Sequence, residues 1–159
     1  MLGKLAENQI DDLLKSQYIA HLGCHADNIT YVVPINYVYD DKSFYAHSGR
    51  GTKIDMMRKN PDVCIEVEIV EDIVNWQSVI CWGKFEEITE LEEKQLVMQK
   101  LTDRIMPLLK NDNGHPSHGI TESASDIGDT IDLILYKIVV DMKSGRFEKN
   151  AAGHFSKQI

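Results

Sequence analysis

The spacing of apolar and polar positions changes several times along this chain, and each change predicts an element. From Glu7 to Gln17, Ile10, Leu13 and Leu14 recur at helical spacing, which predicts a short amphipathic helix over one end of a barrel or sheet. Tyr18–Cys24 and Ile29–Tyr39 read as strands joined at Ala26-Asp27-Asn28, a hairpin. In the second strand Tyr31, Val33, Ile35, Tyr37 and Tyr39 share one face and Val32, Pro34, Asn36 and Val38 the other, so both faces are expected to be covered. Pro34 has no N–H for a ladder and belongs at an edge, at a bulge, or beside something other than a strand. Ser43–Ser48 is a third strand, and Val63–Val70 a fourth whose alternation leaves it half-buried. Trp76–Ile88 is a long fifth strand, in which Gly83 marks a bulge or a close backbone approach. Thr89 and Glu92 make a capping box for a helix with Leu91, Met98, Leu101, Ile105 and Leu108 on one stripe. A polar loop from Asn111 to Thr130 then precedes an apolar closing strand, Ile131–Met142.

Phe44 to Pro61 carries the most chemistry, because strand, glycine turn and helix start follow one another directly. Gly49 and Gly51 permit backbone angles that side chains forbid, Thr52 can cap the helix, and Pro61 stops it. Free N–H groups at a helix start are partly positive, and Lys53 in the first turn adds a full charge. A phosphate there is held from two sources, although the same residues also make an ordinary solvated turn.

Composition narrows what such a site belongs to. The 159 residues, 43% hydrophobic and 26% charged, fit one soluble domain over 1–159, with a polar tail from about residue 147. No apolar run reaches the ~18 residues of a membrane span, and Met1–Glu7 lacks the core of a signal peptide, so a cytoplasmic protein is expected. Cys24, Cys64 and Cys81 form neither a disulfide framework nor a metal knuckle and read as small buried hydrophobes. A formal charge of −8 disfavours nucleic acid as a partner but not a small anion bound locally.

Several strands with one late helix point to an antiparallel barrel rather than a parallel βαβ fold. The run Val33-Pro34-Ile35-Asn36-Tyr37, then Phe44–Ser48, Gly51-Thr52-Lys53, Asn60-Pro61-Asp62-Val63, Trp76-Gln77-Ser78-Val79 with Gly83, and Ser144-Gly145-Arg146 resembles the pyridoxamine 5′-phosphate oxidase-like flavin-binding split barrels. Within them the chain is most similar to the nitroimidazole-resistance (Nim-type) proteins. The resemblance implies a mainly β fold with flanking α, a six-stranded antiparallel split barrel, working as a homodimer with FMN at the subunit interface. It implies FMN phosphate near Gly51, Thr52 and Lys53 with His47 and Ser48 close by, the isoalloxazine along Val33, Pro34, Ile35 and Asn36, and Ser78 reaching the flavin. The chain lacks the true oxidase's arginine-rich strand and its C-terminal Trp and Arg motif, which speaks against oxidation of pyridoxamine phosphate.

With FMN bound, the cofactor carries hydride and electron transfer and the protein orients it. His47 is then the catalytic candidate, to steer a substrate or donate a proton, against a strand-end histidine bonded only to backbone or phosphate. Tyr31, Tyr37, Trp76 and Trp82 are available to stack a small planar substrate, a nitroimidazole for example. His21 with His25, and His115 with His118, lack grouped cysteines or carboxylates in sequence, so no metal site is expected. The alternative is a flavin- or haem-binding protein without turnover, His154 being the sort of residue that would ligate haem.

Overall fold

The structure, a computed structural model, describes residues 1–108 and 133–150. Strand β1 (Leu2–Lys4) precedes helix α1 (Glu7–Ser16), which buries Ile10, Leu13 and Leu14 as the spacing predicts. The Gln9 side chain closes the helix start by accepting the Ala6 N–H at 2.9 Å. Strands β2 (Ile19–Ala26) and β3 (Ile29–Asn36) form the expected hairpin. Its two-residue turn, Asp27 and Asn28, has φ of 52° and 62°, the left-handed pair whose twist matches that of the flanking strands.

The expected second strand does not run on to Tyr39. At Tyr37 the chain turns inward, its N–H donating to Tyr18 O at 3.3 Å and its hydroxyl to Leu14 O at 2.7 Å. It resumes as a two-residue strand, β4 (Val38–Tyr39), paired with β5 (Ser43–Ser48). Helix α2 (Thr52–Lys59) follows, then β6 (Asp62–Asp72), β7 (Asn75–Glu87), α3 (Leu91–Ile105) with a 3₁₀ turn at Met106–Leu108, and β8 (Ile134–Glu148). Helix α3 is capped at Glu90 without a side-chain hydrogen bond, so Thr89 and Glu92 do not form the expected box. Strand β8 extends six residues past Met142 to Glu148, because β1 and the far end of β7 both pair with its last residues. The expected loop at 111–130 lies outside the described residues.

Among the described residues all pairings are antiparallel, in the order β3-β2-β6-β7-β8-β5-β4 with β1 added on β8. This eight-stranded sheet is not closed, which corrects the expected six-stranded split barrel. Closure requires a ladder on the outer edge of β3. That edge includes Pro34, which has no N–H to donate, and the inward turn at Tyr37 carries the chain onto β5 instead. Strand β3 therefore approaches β5 without pairing with it.

One face of the curved sheet carries the main core. Leu22, Ile65, Val79, Phe44 and Ile138 pack there with Leu14 of α1 and Ile54 and Met57 of α2. Helix α3 builds a second cluster from Val97, Met98, Leu101 and Ile105 on Leu135 and Ile88. Arg104 of α3 donates to the carbonyls of Lys15, Ser16 and Gln17 at 2.7–3.2 Å, placing a cation on the C-terminal end of α1. Helix α3 covers the other face at its β5–β8 end, through Tyr45 and Leu135, but does not reach β3. Val32, Pro34 and Asn36 are exposed, contrary to the expectation that both faces of β3 are covered. Among the described residues no helix is long and apolar enough to cross a membrane.

Candidate functional site

Helix α2 leaves β5 through a three-residue turn, and Ile54 and Met57, both at 0% exposure, pin it against the sheet beside β2. This anchoring fixes where the helix start points. The cap residue is Gly51 rather than Thr52, with φ of 161°, an extended backbone that any residue adopts. The two glycines are thus not required by backbone angle. Their effect is spatial: a Cβ built on Gly49 or Gly51 meets nothing within 4 Å, so the ground over the turn stays open.

Lys53 behaves differently from the other described lysines whose pKa is displaced. Burial lowers its pKa, outweighing the opposing effect of the nearby Cys24 thiol. Lys15, Lys59 and Lys84 each pair with an aspartate and are raised. Among the described residues no carboxylate forms a salt bridge with Lys53. A half-buried ammonium without a counter-charge is costly, and an anion bound beside it would offset that cost.

The sequence-predicted site residues fall into three groups. His47 and Ser48 end β5, Gly51 caps α2, and Thr52 and Lys53 begin it, so these five follow one another along one strand–turn–helix stretch. The Ser48 hydroxyl donates to Gly49 O at 2.7 Å and so is engaged within the turn. His47 is half-buried, opposite Leu135 of β8. On β3 the four flavin-lining candidates divide between two faces: Ile35 is buried in the core and Val33 half-buried, while Pro34 and Asn36 are exposed. Ser78 stands apart on β7. With β2 and β6 between β7 and β3, the strand spacing of ~4.8 Å puts it roughly 14 Å from β3. Its hydroxyl donates to Glu66 Oε1 at 2.6 Å.

The aromatic candidates also separate. Tyr37 is a core residue at 1% exposure, and burial raises its hydroxyl pKa well above the usual value, so it is unavailable for stacking. Trp76 donates its indole N–H to Glu148 Oε2 at 3.2 Å, and Trp82 is exposed on the outer face. Cys24 and Cys81 are buried as expected, with the Cys81 thiol pushed up to about 12 by burial, whereas Cys64 is only partly covered. Sequence reasoning missed the carboxylates that the sheet sets beside His21. Glu66 and Glu68 are two apart and share a face of β6, but only the β2–β6 register brings His21 opposite Glu66.

A family model described as pyridoxamine 5′-phosphate oxidase matches residues 6–126. The chain belongs to that family. It is 36% identical over 70 residues to an uncharacterised protein, RA0666, of Rhizobium meliloti, a match that covers 44% of this chain and spans about half (46%) of that relative's length. A FAD-binding protein of Mesorhizobium loti has a similar structure, at TM-score 0.74 and 25% identity, covering 94% of this chain and 99% of that one. A candidate 5-nitroimidazole antibiotic resistance protein of Bacteroides thetaiotaomicron superposes at TM-score 0.67 and 22% identity, covering 92% and 87%. At that identity the likeness is one of fold.

Proposed function

We propose that this member of the family binds FMN at the β5–α2 turn and acts as an FMN-dependent oxidoreductase on small planar acceptors of the nitroimidazole type. The observation that carries this reading is Lys53, a half-buried cation with no carboxylate salt bridge among the described residues, next to a turn that two glycines keep open. Lys53 and the N–H groups at the start of α2 would hold the phosphate, and the exposed Pro34 and Asn36 on the free edge of β3 would border the flavin ring. Bound FMN supplies hydride and electron transfer. His47, at the end of β5, is the residue proposed to steer the acceptor or give it a proton. Ser78 reaches such a site only across the sheet or from a second copy, which ties its role to a homodimer built on the exposed sheet face.

Titration of the apo-protein with FMN, FAD and riboflavin, read by flavin fluorescence, tests the site. Lys53→Ala should weaken FMN about ten- to a hundredfold and riboflavin little, because a charge-assisted bond of roughly 1.5–3 kcal/mol is lost only with the phosphate. Equal losses would place Lys53 away from the phosphate. The similarity to the FAD-binding protein of Mesorhizobium loti favours a second reading, FAD in place of FMN, and a tighter FAD isotherm would select it. Anaerobic reoxidation of the reduced protein by nitroimidazoles then tests turnover, and its failure with a whole panel would leave flavin binding alone.

A further inference from the structure

The outer face of the sheet gathers three ligand-type side chains. His21 on β2 lies directly opposite Glu66 on β6, and Glu68 follows two residues later on the same face. One donor atom from each of the three falls within 4.8 Å of the others. His21 Nδ1 is 3.4 Å from Glu66 Oε2, while Glu66 Oε1 is fixed from the far side by the Ser78 hydroxyl at 2.6 Å. An ion at ~2.1 Å from three donors holds them roughly 3–3.5 Å apart. The His21–Glu66 pair already stands at that separation, and the third donor, on the exposed Glu68 side chain, lies within 4.8 Å of both.

The surroundings suit an ion. A solvent-open cleft of about 210 Å³, lined by Gln17, Tyr18, Ile19, His21 and Glu68, adjoins two of the three ligands and has room for water to complete the coordination. His21 and Glu66 keep 46% and 27% of their side-chain surface, so an ion from solution reaches them without unfolding. Two adjacent carboxylates repel each other, and a divalent cation between them removes that repulsion. His25 takes no part, since its Nδ1 is 3.0 Å from the Thr30 hydroxyl and it lies opposite Thr30 rather than beside the glutamates.

We propose that His21, Glu66 and Glu68 bind one divalent transition-metal ion. One imidazole nitrogen with two carboxylates suits zinc, manganese or iron(II), whereas calcium and magnesium take all-oxygen sets. None of its three ligands belongs to the β5–α2 turn, but His21 lies opposite Pro34 and Glu66 accepts from Ser78, both assigned to the flavin, so metal and FMN affinities are measured separately.

The test is calorimetric titration of the chelator-treated full chain with Zn²⁺, Mn²⁺ and Mg²⁺, with FMN affinity recorded on the same samples. The expected result is one equivalent of Zn²⁺ or Mn²⁺ per chain, bound at least tenfold more tightly than Mg²⁺. His21→Ala and the exposed-site variant Glu68→Gln should each weaken that binding at least tenfold, whether or not FMN binds. A variant with His115, His118 and His154 all changed to alanine should keep the site. Binding that is absent, that survives both His21→Ala and Glu68→Gln, or that disappears in the triple variant would overturn the proposal.

Discussion

The Tyr37 hydroxyl donates to the carbonyl of Leu14 at 2.7 Å, joining the point where the chain leaves β3 to the last turn of α1. The last four carbonyls of a helix have no partner within it, and this one is buried, so the bond satisfies a group that water cannot reach. Tyr37→Phe keeps the ring and its edge-on contact with Phe44, 5.1 Å between centroids, but strands the carbonyl. It should cost about 1–3 kcal/mol. Urea unfolding should show a lower midpoint with an unchanged slope; an unchanged midpoint would mean that the Leu14 carbonyl finds water.

Gly83 sits where β7 and β8 slip register, with Trp82 opposite Met142 and Gly83 opposite Val140. A Cβ there would lie 2.2 Å from Val139 O, so backbone, not a flexible side chain, would have to move. Gly83→Ala is expected to destabilise by about 1–3 kcal/mol, as overpacking does. Gly49→Ala, where a Cβ meets nothing within 4 Å, should change stability by less than about 0.5 kcal/mol and yet weaken FMN if the phosphate uses that open ground. Thermal melts of the two variants should separate them clearly.

Gly83 also shows what could be read in advance: a glycine inside a long alternating strand announces a close approach whatever the partner is. The bounds of β5, Ser43–Ser48, and the buried stripe of α1 were legible for the same reason, since both depend on local periodicity. Cross-strand register is not local. The pairing of His21 with Glu66, and the distance of Ser78 from β3, depend on which strands become neighbours, which spacing along the chain does not encode. The open sheet escaped for a related reason, because the inward turn at Tyr37 is driven by a hydroxyl meeting a helix carbonyl 23 residues away in sequence. The β5–α2 turn was legible as a strand end, turn and helix start, while the open space over its glycines needed the structure.

Arg58 holds Glu87 with two parallel bonds, Nε to Oε2 and Nη2 to Oε1, both at 2.8 Å. The Arg58 hydrogen bond keeps the Glu87 carboxyl below its ordinary value of 4.5 in the folded chain. The folded pKa being lower than the unfolded one, the pair stabilises above about pH 4.5 and its contribution fades as pH falls through the folded value. Both side chains are partly exposed, 45% and 32%, so solvent screening limits the gain to less than about 1 kcal/mol. Arg58→Gln should therefore lower stability at pH 7 slightly and make the decline below pH 4.5 shallower. Parallel acid limbs for the two proteins would show that the pair adds nothing.

The outer sheet face makes the last prediction. Val32, Gly23, Cys64, Trp82 and Met142 lie side by side across five strands by register, and Val32, Trp82 and Met142 are 61%, 38% and 57% exposed. Ile80 continues the patch one row along, opposite Glu66. Large exposed apolar groups in register across one sheet face are the kind of surface that a second copy covers. The proposed homodimer seated there would bury Trp82 near its centre, where a charge cannot be accommodated without a partner. Trp82→Glu should convert the dimer to monomer in light scattering while leaving the fold intact, since Trp82 takes no part in the inner core. If the flavin lies between copies, the same variant should also lose FMN, although Trp82 is on the opposite face of the sheet from α2. A variant that is monomeric yet binds FMN with undiminished affinity would assign the whole flavin site to one chain and leave Ser78 outside it.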